Sequence, residues 1–312
     1  MNLSFAYYPG CSQVASSAEY DASTRSVCRA LGIELAEVPD WTCCGSTPAH
    51  NIDPRLSAAL SARNLVQAKA TWQETVTTPC PSCLANLRNA DHKMEDPEFA
   101  GKVNRLLDEP YAGGMKTISL LQVLFEGVGL ERLAREVVSP LNGLKVAAYY
   151  GCLTTRPAGL MAFDDEENPT SMDQLLEACG AKPVAFPFKT ECCGASMATS
   201  CRDAVPTLGG RILELARCAG AQAVVVACPL CQLNLDMRRS QITAKAKAAN
   251  PLPVFYFTQL MGLALGRPAS ELGLDKLCVS PAAALEIIRT PAAPAAKAGK
   301  AVKPEKETQP CA

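Results

Sequence analysis

Apolar positions change period along the chain in a regular way. In the second half, residues 145–150 form a short apolar run suited to a buried strand, whereas residues 171–179 and 205–218 carry apolar side chains at helical spacing. Residues 221–227, apolar but for Gln222, read as a further strand ending at Cys228. Short apolar runs between helical stretches read as buried strands. Each half therefore reads as strand, helix, strand, helix, strand, helix, an α/β pattern. The halves also close alike, residues 119–124 resembling 257–263, and both stretches predict packing helices.

The cysteines repeat with the same register. The first half carries Cys11, the adjacent Cys43 and Cys44 followed by Gly45, then Cys80-Pro81-Ser82-Cys83. In the second half come Cys152, then Cys192 and Cys193 followed by Gly194, then Cys228-Pro229-Leu230-Cys231. The offsets between halves are 141, 149 and 148, and the flanking residues repeat too, Tyr7-Tyr8-Pro9-Gly10-Cys11 being echoed by Tyr149-Tyr150-Gly151-Cys152. Two pseudo-symmetric units follow, 1–140 and 141–289, with the cysteines where strands end and helices begin, the place where open α/β sheets bind ligands. The extra residues of the second unit fall at Phe163 to Thr170, a turn-rich acidic insertion read as a solvated or docking loop.

Composition narrows the functional classes. Thirty Lys and Arg against 31 Asp and Glu leave a net charge of -1, with no basic excess to gather nucleic acid or an anionic membrane. No basic leader with an apolar core opens the sequence, and no apolar run reaches the length of a spanning helix, so a cytoplasmic protein without a direct membrane span is expected. In a reducing compartment, 16 cysteines argue for metal or redox chemistry over a disulfide framework. Residues 290–312, with seven Ala, four Pro, four Lys and no aromatic residue, read as a flexible tail containing Cys311.

Five thiols per half exceed the four ligands of structural zinc, and adjacent cysteines must diverge to separate positions. An iron–sulfur cluster is large enough to take them on different irons, although a cubane of four irons offers only four terminal positions. Either one cysteine in each half is a spectator, or a thiolate bridges two irons.

The pattern Cys-x31-Cys-Cys-Gly-x34-Cys-Pro-x-Cys in the first half, and Cys-x39-Cys-Cys-Gly-x33-Cys-Pro-x-Cys in the second, resembles the duplicated CCG cysteine-rich domain. Residues 7–12, 156–165 and 256–260 resemble more narrowly the B subunit of heterodisulfide reductase. This resemblance implies two Rossmann-like repeats with facing iron–sulfur sites, holding two non-cubane 4Fe–4S clusters. One would be bound by Cys11, Cys43, Cys44, Cys80 and Cys83, the other by Cys152, Cys192, Cys193, Cys228 and Cys231. It further implies reductive cleavage of a disulfide between the clusters, which themselves carry the chemistry. The implied partners are a small ferredoxin-like 4Fe–4S subunit and an FAD-containing subunit, since this chain shows neither a ferredoxin cysteine run nor a flavin fingerprint. Two alternatives stand beside this: an electron-transfer or quinone-linked subunit of a succinate, glycolate or lactate dehydrogenase-type complex, and a structural zinc protein.

Gly45 and Gly194 are expected to let backbone approach the cluster, and Pro81 and Pro229 to start the following helices. Cys28, Cys179, Cys201, Cys218, Cys278 and Cys311 read as core filling or free thiols. His50 is either a proton donor near the first set or a surface residue; His92 has no counterpart in the other half. Lys189 either offsets thiolate charge or is solvated.

Overall fold

A computed structural model describes residues 3–247 and 250–290; the tail expected from 290, with Cys311, falls almost wholly outside them. Two parallel four-stranded sheets lie one in each half. The first contains β1 (Leu3–Tyr7), β2 (Ile33–Glu37), β3 (Thr75–Thr78) and β4 (Lys116–Ser119), in the order β2-β1-β3-β4. The second contains β5 (Lys145–Tyr149), β6 (Lys182–Pro183), β7 (Ala223–Val226) and β8 (Val254–Tyr256), in the order β6-β5-β7-β8. The matching order is the duplication written in three dimensions.

The helical and strand runs read from periodicity are present as Ser171–Ala178, Ala204–Cys218, β5 and β7. All four residues of β7 are buried, as its unbroken Ala-Val-Val-Val sequence requires. Each sheet has a fourth strand that the sequence reading did not separate. β4 and β8 have only four and three residues and run straight into the helices Leu120–Gln122 and Phe257–Ala264. β6 is an edge strand of two residues, a position that tolerates Pro183, which has no N–H to give a second neighbour.

One apolar cluster spans both halves, and a second lies within the first half around Cys44, Cys80 and Cys83. Helix Ala18–Ala30 of the first half packs on helix Phe257–Ala264 of the second, where Tyr20 stacks on Tyr256 with centroids 4.0 Å apart and Ser23 hydrogen-bonds Thr258 at 2.7 Å. The reciprocal contact is made by Phe125 against Phe163. Both switch points, where the chain crosses from one side of β1 or β5 to the other, therefore belong to one packed body.

Candidate functional site

All ten cysteines of the duplicated pattern lie at the C-terminal ends of strands. Cys11 follows β1, Cys43 and Cys44 lie in the loop after β2, and Cys80 follows β3; Cys152, Cys192, Cys193 and Cys228 occupy the equivalent places in the second sheet. Cys83 and Cys231 come from the first turns of helices that open at Pro81 and Pro229, so proline does start both helices. The sheet order thus converges three separate loops on one crevice.

Two tyrosines tie the loops down in the same way. Tyr8 donates its hydroxyl proton to the carbonyl of Thr42 at 2.7 Å, and Tyr149 donates to that of Glu191 at 2.6 Å. Each acceptor immediately precedes a Cys-Cys pair. Burial, and then the neighbouring thiols, raise both phenols, so each stays a neutral donor.

Within the first set, Cys43 Sγ stands 3.7 Å from Cys11 Sγ and Cys44 Sγ 3.5 Å from Cys83 Sγ; in the second, Cys193 Sγ stands 3.7 Å from Cys231 Sγ. Hydrogen bonds from Cys43 and Cys83, followed by one from Asn86, hold the Cys44 thiol at about 3 against the opposing effect of burial. Cys43 and Cys83 are pushed up by those same bonds, and Cys80 is lowered by Cys83. In the second set Cys152 donates to Cys192, which falls to about 6 while Cys152 rises; Cys231 and then Asn234 lower Cys193, and Cys231 rises. Each crevice thus pairs lowered thiols with raised ones.

Asn86 and Asn234 are the polar groups the sequence reading missed. Asn86 Nδ2 lies 3.4 Å from Cys44 Sγ and Asn234 Nδ2 3.4 Å from Cys193 Sγ. Both stand three residues past the second cysteine of Cys-Pro-x-Cys, at the same offset of 148, so the signal was in the repeat. The backbone N–H of Gly194 donates to Cys192 Sγ at 3.2 Å.

The glycines divide differently from expectation. A Cβ on Gly45 would meet Ala49 and Leu60, and one on Gly194 the backbone of Ala204 and Val205; the nearest atoms are not sulfur. Both adopt left-handed φ, 85° and 82°, at the turn into the next helical segment. The glycines that abut sulfur are Gly10 and Gly151, whose Cβ would lie 2.9 Å from Cys83 Sγ and Cys231 Sγ.

A cavity of about 460 Å³ opens between the halves. Cys152 and Cys192 line it directly, as do Leu153, Leu160 and Leu230. No thiol of the first set is among its lining residues; the opposite wall includes Ser46, Ser82 and Asn86, the last of which contacts Cys44. His50 and Lys93 also line it, so His50 faces the cavity and is not only a surface residue.

Other candidates fall elsewhere. Lys189 is buried and pairs with Asp173 at 2.9 Å and with the Pro169 carbonyl at 2.9 Å; it is neither solvated nor bonded to a thiol. His92 is exposed beside Glu95. Cys28 and Cys179 are core residues, pushed up by burial to about 12, whereas Cys201 and Cys278 are exposed free thiols. Cys218 is exposed at the end of helix Ala204–Cys218. The acidic insertion is exposed, but not featureless: Asp164 accepts from the N–H groups of Thr170 and Ser171 at the start of helix Ser171–Ala178, and Arg156 pairs with Glu167 at 2.7 Å.

Repeated parallel sheets with thiol-lined crevices at their strand ends define a duplicated cysteine-rich α/β protein. The chain belongs to the CCG cysteine-rich domain family, whose model matches residues 5–88 and 146–236. It is 36% identical over 278 residues to the 8-methylmenaquinol:fumarate reductase membrane anchor subunit of Wolinella succinogenes, covering 88% of this chain and 96% of that protein. To the B subunit of the ferredoxin:CoB-CoM heterodisulfide reductase of Methanosarcina mazei it is 30% identical over 266 residues, covering 83% and 88%. The fold is similar to the crystal structure of a hypothetical protein from Helicobacter pylori, with a TM-score of 0.71 at 16% identity, over 89% of this chain and 52% of that one; this chain thus spans about half of that protein.

These relatives are subunits of multi-subunit reductases, which points to an oxidoreductase subunit and to iron–sulfur clusters as what the thiols hold. The donor set fits: the candidate ligands are all thiols, with amide donors aimed at sulfur. Among the described residues no three His, Cys, Asp or Glu side chains gather like the ligands of a single ion. Nor is any described helix long and apolar enough to cross a membrane.

Proposed function

We propose that the chain is the catalytic iron–sulfur subunit of a heterodisulfide reductase-type complex, working in the cytoplasm and cleaving a disulfide into two thiols. In this reading the repeats 1–140 and 141–289 each hold one non-cubane 4Fe–4S cluster, through Cys11, Cys43, Cys44, Cys80 and Cys83, and through Cys152, Cys192, Cys193, Cys228 and Cys231. The observation that carries it is the cavity between the halves, which Cys152 and Cys192 of the second set line directly and which reaches the first set through Asn86, in contact with Cys44. A disulfide cut at these thiol sites needs such a chamber to bind in.

When bound, the clusters supply single electrons, and the balance of the reaction is RSSR′ + 2e⁻ + 2H⁺ giving RSH and R′SH. Leu153, Leu160 and Leu230 give the chamber part of an apolar wall. His50 and Lys93 line it as well, and no carboxylate is among its lining residues to repel an anionic thiolate. Electrons would come from a small ferredoxin-like 4Fe–4S subunit fed by an FAD-containing one.

The fumarate reductase relative favours a second reading, a quinone-linked electron-transfer subunit without disulfide chemistry. Anaerobically reduced protein separates the two: reoxidation by added disulfides, with thiols released, supports the first reading. Reoxidation by a quinone while disulfides leave the protein reduced overturns it.

A further inference from the structure

Tyr20 sits fully buried in helix Ala18–Ala30, between the halves. Its hydroxyl lies 3.3 Å from the carbonyl of Pro79 and 3.2 Å from that of Ala227. Those two carbonyls immediately precede Cys80 and Cys228, the first cysteines of the two Cys-Pro-x-Cys segments, and their offset of 148 is that of the segments themselves. One side chain thus touches equivalent points of both repeats. The residue at Tyr20's own offset of 141 is Met161, so the second half supplies no counterpart. Face-to-face packing on Tyr256 at 4.0 Å and an edge contact with Phe257 at 6.2 Å hold the ring, leaving the hydroxyl little freedom to choose one carbonyl over the other. Burial raises this phenol well above its ordinary value, which keeps it a neutral donor.

We propose that Tyr20 is a positioning residue that locks the two Cys-Pro-x-Cys segments to each other, setting the spacing of the two thiol sites and coupling them through one shared hydroxyl. The inference rests on the reading of both sites as cluster-binding, but the locking itself concerns the protein alone. In a parallel sheet the segment after the central strand is otherwise held only from its own side. Here the carbonyl before Cys80 and the one before Cys228 share a single O–H, so displacement of one segment redirects the hydroxyl toward the other. The Ser23–Thr258 hydrogen bond, also between the halves, touches neither segment; Ser23 Oγ keeps its bond to the Tyr20 carbonyl when Thr258 is replaced, so the bond serves as a control.

The test compares holoprotein of the natural sequence with Tyr20→Phe, which keeps the stacked ring and removes the hydroxyl, and with Thr258→Val. Amide hydrogen exchange is followed at residues 79–84 and 227–232, and the magnetic interaction between the two reduced centres by electron paramagnetic resonance. Loss of one hydrogen bond of ordinary net strength corresponds to a roughly fivefold rise in local opening. Tyr20→Phe should raise exchange at both segments together by about that factor and alter the inter-centre interaction with iron and sulfide content unchanged, whereas Thr258→Val should do neither. Acceleration at one segment only, at neither, or equally in Thr258→Val overturns the proposal, as does an unaltered inter-centre interaction. If the isolated chain carries no iron, the cluster reading fails, and the exchange comparison alone decides the role of Tyr20.

Discussion

Replacing Gly10 by alanine places a methyl group against the first thiol site. Gly10 has φ 78° and ψ 163°, a region reserved almost wholly to glycine, where another residue costs about 1–3 kcal/mol. The new Cβ would also lie 2.9 Å from Cys83 Sγ, so the thiol must withdraw by roughly half an ångström to regain ordinary contact. Gly129 separates these two effects: its φ of 79° and ψ of 152° match, and a Cβ there meets nothing within 4 Å. Gly10→Ala and Gly129→Ala should both lower the melting temperature, by roughly 2–4 °C per kcal/mol for a protein of this size class. Only Gly10→Ala should also lose about half of the bound iron after reconstitution, because a displaced ligand empties one site of two. Calorimetry and iron analysis on both variants read this out. Equal iron in the two variants refutes the claim that the close approach of backbone to Cys83 matters to the site.

Asn86→Leu and Asn234→Leu each remove an amide donor from a thiolate, and each should weaken iron retention roughly 10- to 100-fold at its own site, measured by competition with a chelator; unchanged retention would remove these residues from the site. Lys189→Met leaves the half-buried Asp173 with the Tyr150 hydroxyl but no cation and should cost about 1–3 kcal/mol in urea unfolding while leaving iron content intact; a neutral result would mean the pair contributes little. In iron-free reduced protein the Cys152–Cys192 pair should release one proton near pH 6 and the other well above 9, read by ultraviolet thiolate absorbance. The lowered Cys192 contributes stability that is complete above its ordinary value of 9.0 and lost as pH falls through about 6; the raised Cys152 contributes below 9.0 and loses its share as pH climbs. A single step near 9 would show that no proton is shared.

Repetition made much of the site legible. Cysteines at offsets of 141, 149 and 148 placed three loops in each half before any strand was seen, and Pro81 and Pro229 marked the helices that follow. β4 and β8 were not separable because three or four residues leading straight into a helix carry no period of their own. Asn86 and Asn234 shared the register of the cysteines, yet an asparagine carries no weight until its amide is seen against sulfur. The same holds for Gly10 and Gly151, visible beside each first cysteine but distinguishable from Gly45 and Gly194 only by what a side chain would strike. Lys189 misled because proximity in sequence to Cys192 is not proximity in space: its ammonium is drawn to Asp173, 16 residues away. Tyr20 lay beyond reach altogether, since its partners before Cys80 and Cys228 meet only when both sheets are folded together.

The most direct measurement is the iron, zinc and acid-labile sulfide content of anaerobically isolated protein, with electron paramagnetic resonance before and after thiols are added to the oxidised sample. The account predicts about eight irons per chain, matched by sulfide, and a new signal that depends on the thiol. Iron and sulfide without any thiol response would contradict disulfide chemistry at these sites, and zinc without sulfide would contradict the clusters themselves.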